Sequence, residues 1–445
     1  MGRIILILVL AFQALNPVHS QQEFNFTEIN RVTYELYQKG AWKELISTGE
    51  KALKEGVDYF YLRMRLGIAS YETSDYSRAI RHFTRALEFN STDDTAKEYL
   101  YFAYRLYGRD MEAHNISQHF SGSLKSKLPH RRNAVRSFSL NATGSFLQDA
   151  GIVDDFSYDG DPETYGFQSV TRNFMYFGAS LEHDAGRLLK LTHSPGMLTK
   201  SYLLYTRDDA EAELTRDARL SQFQYYVSGR ILLGNGAYLI PAVHYLAVRI
   251  PYETTVAGRF GRPLLLQQHY FNHDVATSLG LEKYYGKVRP GITAGYSYIN
   301  RQPQVQGSFS FSWFPYGNLN LYSISDITLS SRLSGDNING KQIFSQDIGF
   351  RVFHWLWAEL GGSWGERENF ADSRAYLVYN DPMVTRERYT IAIIAPFNGT
   401  MELTIHYNYY LKESRFIADS PSGGVPVNPI ELNTHKISGG IKWNF

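Results

Sequence analysis

The last residues of the chain, Thr434–Phe445, read T-H-K-I-S-G-G-I-K-W-N-F. Polarity alternates along this stretch with a period of two, which predicts a β-strand with one apolar and one polar face. The apolar side holds His435, Ile437, Gly439, Ile441, Trp443 and Phe445. The polar side holds Lys436, Ser438, Gly440, Lys442 and Asn444. Similar alternating runs fill much of the chain before it, so we expect this strand to close a large β-structure.

Composition narrows the class of protein. A chain of 445 residues is long enough for two or more domains. The net charge of +1, with both signs mixed, gives no electrostatic footprint for nucleic acid. Aromatic residues make up 15% of the chain, a bias that favours strands. The absence of cysteine excludes a disulfide framework and a lipoprotein anchor cysteine.

The N-terminus, Met1–Ser20, has the pattern of an export signal peptide. Arg3 supplies a positive charge, and Ile4–Ala11 form an apolar core too short for a stable membrane anchor. Val18–Ser20 then offer a cleavage site. An uncleaved anchor is the alternative. No later apolar run reaches about 18 residues, so a membrane-embedded mature protein would have to cross as strands.

The segment Phe24–Gln118 has a helical pattern that repeats at about 34 residues. Turn residues recur at Gly40, Ser74 and Gly108. The central unit places small and large apolar residues at the spacing of a tetratricopeptide repeat: Leu66, Gly67, Ala79, Phe83 and Ala86. This resemblance implies an α-helical protein-binding module with degenerate outer repeats. A generic bundle of α-hairpins is the alternative.

A linker follows at His119–Asn133. Its basic run includes His130, Arg131 and Arg132. Such a run beside a membrane segment can contact phosphate head groups, although a solvated linker is the simpler interpretation.

From Ala134 to Phe445, strand-like runs alternate with short turns and longer polar loops. Gly234–Gly236 and Pro396–Gly399 are typical of the short turns. Asn300–Gln304 and Glu366–Ser373 belong to the set predicted as longer loops. Seven long and six short connections predict about 14 antiparallel strands. The fold class is therefore α+β, with helical repeats followed by an antiparallel transmembrane β-barrel.

The terminal strand resembles the closing strand of bacterial outer-membrane β-barrels, in which a final Phe is part of the signal for the barrel-assembly machinery. The resemblance assigns that role to Trp443 and Phe445. It implies a Gram-negative outer membrane, with lipid around the barrel and the short turns and helical repeats in the periplasm. A soluble all-β domain is the alternative.

Inward-facing positions of the predicted strands carry charges of both signs. These candidates for the lumen lining are Arg230, Asp274, Asp347, Arg351, Glu359, Arg388, Glu402, His406, Lys436 and Lys442. Mixed charges suit a water-filled path whose charged rings set selectivity. They equally suit a closed network of ion pairs that fills the barrel, and a network of Arg351, Asp347 and Glu402 would favour this second interpretation.

Catalytic and metal-binding motifs give no comparable signal. Scattered histidines, His193, His244, His269, His273 and His406, stand in no recognisable hydrolase motif. The acidic stretch Asp149–Glu163 has oxygen ligands but not the spacing of a known calcium loop. We therefore predict no enzyme, cofactor or metal, and a lipid-acting barrel hydrolase is the least favoured alternative.

The order of signal peptide, tetratricopeptide-like repeats and C-terminal barrel resembles the outer-membrane exporters of bacterial exopolysaccharides, although this chain has few repeats. The resemblance implies a porin-like barrel that conducts or exports a polar substrate, with the repeats docking a periplasmic protein. No functional residue carries over, because the resemblance rests on domain order. A non-conducting envelope anchor or assembly scaffold is the rival hypothesis.

Overall fold

A computed structural model describes residues 26–128, 134–149, 151, 166–207, 213–257, 263–333, 340–418 and 427–445. The predicted signal peptide, the basic run His130–Arg132 and most of the acidic stretch Asp149–Glu163 lie outside the described residues. No helix in the described part of the chain is long and apolar enough to cross a membrane.

Seven helices form the described N-terminal region. They are α1 (Phe26–Gln38), α2 (Trp42–Lys54), α3 (Phe60–Glu72), α4 (Tyr76–Phe89), α5 (Asp94–Leu106), α6 (Asp110–Ser117) and α7 (Gly122–Lys127). The starts of α1, α3 and α5, at 26, 60 and 94, are each 34 residues apart, as are those of α2, α4 and α6 at 42, 76 and 110. Gly40, Ser74 and Gly108 follow helices α1, α3 and α5 with φ of +65°, +60° and +72°. The predicted turns at these positions are confirmed.

The helices pack through small residues that let large ones fill the space between them. Leu66, Ala79, Phe83 and Ala86 are fully buried. A Cβ added at Gly67 would lie 2.6 Å from Cε1 of Phe83, so α3 and α4 approach each other where a larger residue would clash.

Buried His82 on α4 joins helices α2 and α3. Its Nδ1 lies 3.2 Å from Nη1 of Arg63, and its Nε2 lies 3.1 Å from Oε1 of Glu50. Since a guanidinium only donates, Nδ1 accepts and the Nε2 proton is donated to Glu50. Burial lowers the pKa of His82 and favours this neutral form. The hydrogen bond from His82, assisted by the charge of Arg81, lowers the pKa of Glu50 to about 2.

The C-terminal region is a closed barrel of 14 antiparallel strands, which confirms the predicted strand number. Its wall strands are β1 (Val135–Leu147), β2 (Gly166–Asp184), β3 (Leu189–Arg207), β4 (Glu213–Gly234), β5 (Ala237–Ala257), β6 (Pro263–Lys283), β7 (Val288–Ile299), β8 (Gln302–Trp313), β9 (Leu321–Arg332), β10 (Gly340–Phe353), β11 (Leu356–Arg367), β14 (Val384–Phe397), β15 (Met401–Ala418) and β16 (Val427–Asn444). Two short strands, β12 (Phe370–Asp372) and β13 (Leu377–Tyr379), form a separate hairpin between β11 and β14.

Two predicted loops differ from the structure. Asn300–Gln304 was predicted as a longer loop, but only Asn300 and Arg301 separate β7 from β8. Both adopt positive φ, +49° and +62°, the conformation that tight hairpin turns require. Glu366–Ser373 was predicted as an outer loop. Instead β11 continues to Arg367, and the following residues form the β12–β13 hairpin.

Strand β5 continues through Pro241, a residue that often ends a strand. Pairing with β6 continues through Pro241 and Leu279. On the other edge, the pairing with β4 skips from Ser228–Ala242 to Ile231–Leu239. Because proline has no N–H to donate, the missing ladder contact falls on this edge, and the strand itself persists.

We expect the Glu50→Gln variant to lose part of the pH dependence of helical stability. The lowered pKa of Glu50 means that its ionised form stabilises the fold above its ordinary pKa of 4.5, and that this contribution is lost as pH falls towards about 2. Denaturant unfolding of the full chain in detergent, followed by far-UV circular dichroism at several pH values, measures the effect. Glu44→Gln, at an exposed position on the same helix, is the matched control. Identical pH profiles for wild type and Glu50→Gln would refute the assignment.

Candidate functional site: the barrel lumen and its helical rim

The two faces of the barrel wall differ in polarity. Large apolar side chains point outward, among them Leu140, Met175 and Phe177, which are 48%, 58% and 57% exposed. Their neighbours in sequence, such as Ser139, Asn141 and Tyr176, line an internal cavity. The alternation of strand residues thus divides an apolar exterior from a polar lumen.

The lumen holds a cavity of about 990 Å³. Strands β1, β2, β3, β4, β15 and β16 supply most of its wall, and residues after β12 close its other side. Five basic residues line it: Lys200, Arg388, Lys412, Lys436 and Lys442. Three acidic residues do so: Glu368, Asp381 and Glu402. Tyrosines, amides and hydroxyls make up much of the remaining lining.

The segment 368–383, here called the inserted loop, folds into the lumen. Near its base, the Asn380 amide donates to Asp274, whose other oxygen accepts the Asn300 backbone N–H at 2.8 Å. Asp274 is completely buried. At its tip, Arg374 Nη2 lies 2.7 Å from Glu282 Oε2. Glu282 lies near the end of β6 and Asn300 at the opposite end of β7, so the loop extends along the lumen wall.

Three consecutive residues at the loop tip, Ser373, Arg374 and Ala375, adopt φ of +50°, +58° and +66°. For non-glycine residues this left-handed conformation costs on the order of 1 kcal/mol each. The wall compensates by binding the tip: the buried His244 Nδ1 donates to Ala375 O at 2.8 Å, and Glu282 binds Arg374.

The far side of the inserted loop carries Asp381, which faces two lysines. Its carboxylate lies 3.4 Å from Lys200 Nζ and 3.7 Å from Lys412 Nζ. The Thr171 hydroxyl donates to the same carboxylate at 2.9 Å. Asp381 therefore neutralises much of the charge of these two cations and fixes the loop to β3 and β15.

The predicted lumen residues fall into three groups. Arg230 and Asp274 lie on the side occupied by the inserted loop, and Arg388 contacts that loop through Asp372 at 3.6 Å and Tyr379 at 3.2 Å. A second set on β10 and β11 contains Asp347, Arg351 and Glu359. The third set lines the cavity from β15 and β16: Glu402, His406, Lys436 and Lys442.

The ion-pair network imagined for Arg351, Asp347 and Glu402 is not formed. All three residues are described, and no ion pair within 4.0 Å joins them. Arg351 instead lies over the Trp357 ring at 5.8 Å. A Cβ at Gly361 would lie 2.2 Å from Asp347 Oδ1, so this carboxylate rests on the neighbouring strand.

The predicted histidines are dispersed. His193 faces outward, and its Nδ1 lies 2.7 Å from the Tyr225 hydroxyl. His273 Nδ1 lies 2.7 Å from the Tyr245 hydroxyl. His269 is exposed, His244 binds the inserted loop, and His406 lines the cavity. Among the described residues, none of these five rings makes a hydrogen bond to a serine hydroxyl.

The helical region packs on one part of the barrel rim. Its core merges with barrel residues Leu232, Tyr238, Ile240, Tyr284 and Phe314. These belong to the ends of β4, β5, β6 and β8 or to the turns beside them. The helices therefore contact the end of the barrel that carries the short turns.

Polar contacts fix this packing. The Tyr107 hydroxyl donates to Gly286 O at 2.6 Å, and Ser77 N donates to Gly317 O at 3.1 Å. Asp75 Oδ2 forms an ion pair with Lys287 Nζ at 2.9 Å.

The centre of the interface is a buried pair, Arg109 and Glu112, joined at 2.7 Å. Burial raises the pKa of Glu112, and the Arg109 guanidinium opposes this shift. The Tyr238 hydroxyl on the barrel donates to Glu112. On its other side, Tyr238 lies 4.1 Å below the guanidinium of Arg230, which pairs with Glu282 at 2.6 Å.

Sequence reasoning missed the inserted loop and this interface. Leu377 and Val378, two apolar residues shortly after the predicted loop Glu366–Ser373, were the available signal that the segment packs inside. The interface residues Tyr107, Arg109 and Glu112 had no such signal, because polar and aromatic residues near helix ends are common on free surfaces.

Comparison with known proteins gives structural likeness only. No protein-family model matches the chain, and no curated protein matches it. Among solved structures, the Pseudomonas putida toluene transporter TodX is 8% identical, covering 70% of this chain and 89% of that one, with a TM-score of 0.39. A FadL homologue from Pseudomonas aeruginosa is 9% identical, covering 70% and 90%, with a TM-score of 0.40. A bacterial polysaccharide outer membrane secretin is 7% identical, covering 69% and 98%, with a TM-score of 0.34.

We expect Tyr107→Ala to loosen the helices from the barrel. The variant removes a ring that is 99% buried against Tyr284 and Phe314, together with the hydrogen bond to Gly286, so a loss of about 3–5 kcal/mol is expected. Hydrogen exchange of α5 and α6 in the detergent-solubilised full chain reports the change. Tyr61→Ala, at a ring that is 63% exposed, should leave exchange unchanged. Equal exchange in Tyr107→Ala and wild type would contradict the interface.

Proposed function

We propose that this protein is a bacterial outer-membrane β-barrel that conducts a polar substrate and docks a periplasmic protein through its helical repeats. The apolar exterior supports the membrane location. A water-soluble protein rarely exposes so many large apolar side chains around a closed surface, whereas lipid requires them.

Aromatic side chains at two levels of the exterior support the same location. Near the short turns, Trp313, Phe353 and Phe397 are 49%, 55% and 42% exposed. Towards the other end, Tyr298 and Tyr389 are 41% and 39% exposed. Aromatic belts at both interfaces are typical of membrane barrels.

The cavity of about 990 Å³ is the observation that carries the transport proposal. Backbone closure of 14 strands leaves an interior wider than wall side chains fill, and here the inserted loop occupies the β4–β8 side. The side formed by β15, β16 and β1–β4 keeps a polar space. The helix contacts described above lie at the rim of β4–β9, so most strands of that space have a rim free of the contacts described.

The lumen chemistry favours a polar substrate. Its lining combines charged groups with amides and hydroxyls such as Asn141, Gln224, Thr404 and Asn408. A polysaccharide, as implied by the domain-order resemblance, presents many hydroxyl groups that such side chains can hydrogen-bond.

The rival function is a non-conducting anchor. The inserted loop favours it, because Asp381 and Arg374 tie the loop to both sides of the wall. In the transport proposal this loop is a movable constriction, and in the anchor proposal it is a permanent plug.

Single-channel recording in planar bilayers separates the two. We expect ion current through the full chain, and a larger current when 372–378 is replaced by Gly-Ser-Gly, because the replacement removes Arg374 and the loop tip from the lumen. Ser373→Gly, which keeps the loop length and relieves a positive φ, is the control. A barrel that inserts normally yet stays silent, with and without the loop tip, would establish the anchor.

The docking proposal depends on the helices. Their 34-residue recurrence supports tetratricopeptide-like repeats, and their position at the short turns supports a periplasmic location. A photo-reactive amino acid replacing exposed Tyr61 should cross-link in cells to one defined periplasmic protein. The same probe at outward-facing Leu360 should not capture that protein. Matching capture profiles at both sites would refute docking through the helices.

A further inference from the structure

One part of the lumen wall combines a cation, an aromatic ring and hydroxyl groups on neighbouring strands. It is formed by the neighbouring strands β2, β1 and β16. Here Tyr176 pairs in register with Thr143, which in turn pairs with Ser438. Lys436 lies two residues from Ser438 and faces the lumen.

Lys436 differs from the other cations of the cavity. Lys200 and Lys412 face Asp381, and Arg388 faces Asp372. Lys442 stands directly opposite Glu402 in the pairing of β15 with β16. Lys436 stands opposite Asn408 on β15 and Ser145 on β1, both neutral.

The ammonium group of Lys436 has no ion-pair or hydrogen-bond partner among the described residues. The charged groups nearest to it in the lumen include Arg388 and Lys412, which carry the same sign. An anion entering the cavity therefore finds at Lys436 a cation that no carboxylate of the wall already neutralises.

Tyr176 lies flat against the wall. A Cβ at Gly196 would lie 2.5 Å from the Tyr176 ring, and one at Gly178 would lie 2.4 Å from its hydroxyl oxygen. The ring therefore covers this pair of glycines, which are opposite each other in the β2–β3 register. Since one face covers the wall, the other is turned to the cavity that Tyr176 lines.

Two hydroxyl groups lie between Tyr176 and Lys436, and an amide lies on the far side of Lys436. The Thr143 hydroxyl donates to Ser438 at 3.0 Å, and Asn408 lies beside Lys436. Two strand spacings and an offset of two residues place the Cα atoms of Tyr176 and Lys436 roughly 12 Å apart, and the Tyr176 ring leans towards β3.

We propose that this wall is a binding subsite for an acidic saccharide. A sugar ring would place its C–H bonds on the electron-rich face of Tyr176. Hydroxyls of the saccharide would bond Thr143 and Ser438, and a carboxylate on an adjoining sugar would accept hydrogen bonds from Lys436 beside Asn408. A cavity of about 990 Å³ is large enough for a short oligosaccharide.

This inference rests on the proposed function, because the solute must reach the lumen. It goes further by assigning the charge of the substrate and the residue that selects it. Lys436 is then the specificity-determining cation, and Tyr176 positions the sugar.

Isothermal titration of the full chain in detergent tests the subsite with trigalacturonate and the neutral maltotriose. We expect wild type to bind trigalacturonate more tightly, and Lys436→Gln to raise its dissociation constant about tenfold. Tyr176→Ala should weaken both sugars, while Tyr176→Phe retains the ring and the binding. Lys283→Gln, on the outward side of β6, makes the same charge change outside the lumen and should have no effect.

Three results would overturn the proposal: equal affinity for the two sugars, unchanged trigalacturonate binding in Lys436→Gln, or inorganic phosphate binding as tightly as trigalacturonate. Bilayer recordings on the same preparations distinguish failure of the subsite from failure of the transport function. Ion current without trigalacturonate binding would refute the subsite proposal and leave the transport proposal standing. Binding in a silent barrel would support the subsite and remove the transport function.

Discussion

The rest of the structure depends on the ladder that joins the first and last strands of the barrel. Strands β1 and β16 pair from Ser137–Asn444 to Leu147–Thr434. Without this ladder both strands would expose a row of unpaired N–H and C=O groups, which lipid cannot satisfy and which would attract other strands in water. Closure removes both edges and fixes which residues face inward. The alternation of the C-terminal strand thereby becomes a division between an apolar exterior and a polar lumen.

Closure also creates a space that must be filled or hydrated. On one side the chain fills it with the inserted loop, whose tip is held in an unfavourable left-handed conformation by Glu282 and His244. On the other side the cavity remains, and its cations are unevenly compensated. The loop neutralises Lys200 and Lys412 through Asp381, whereas Lys436 has neutral neighbours. The inserted loop therefore both narrows the lumen and determines which lysines keep a positive charge that no carboxylate neutralises.

The sequence was sufficient for the periodic features and insufficient for the loop. The strand number and the three helix turns followed from local patterns, since strand alternation and positive-φ turn residues are set by neighbours along the chain. Asn300–Arg301 was misassigned because polarity alone does not separate a tight turn from a longer loop. The alternation of residues along each strand predicted which side chains face inward. Which of these inward charges form pairs depends on the register of the strands around the closed barrel. The pairing of Arg230 with Glu282, 52 residues away, is such a case.

The helical rim and the inserted loop are joined by a continuous series of contacts. Glu112 on α6 accepts from Tyr238, and the Tyr238 ring lies under Arg230. Arg230 pairs with Glu282, which also holds Arg374 at the loop tip. Because each contact is made by buried or half-buried groups, the loss of one partner reduces the compensation of the next polar group inside the protein. These few residues therefore contribute both to the arrangement of the helices on the rim and to the position of the loop in the lumen. The two domains are joined at this point, and the helices on the β4–β9 part of the rim are connected by contacts to the loop inside the lumen.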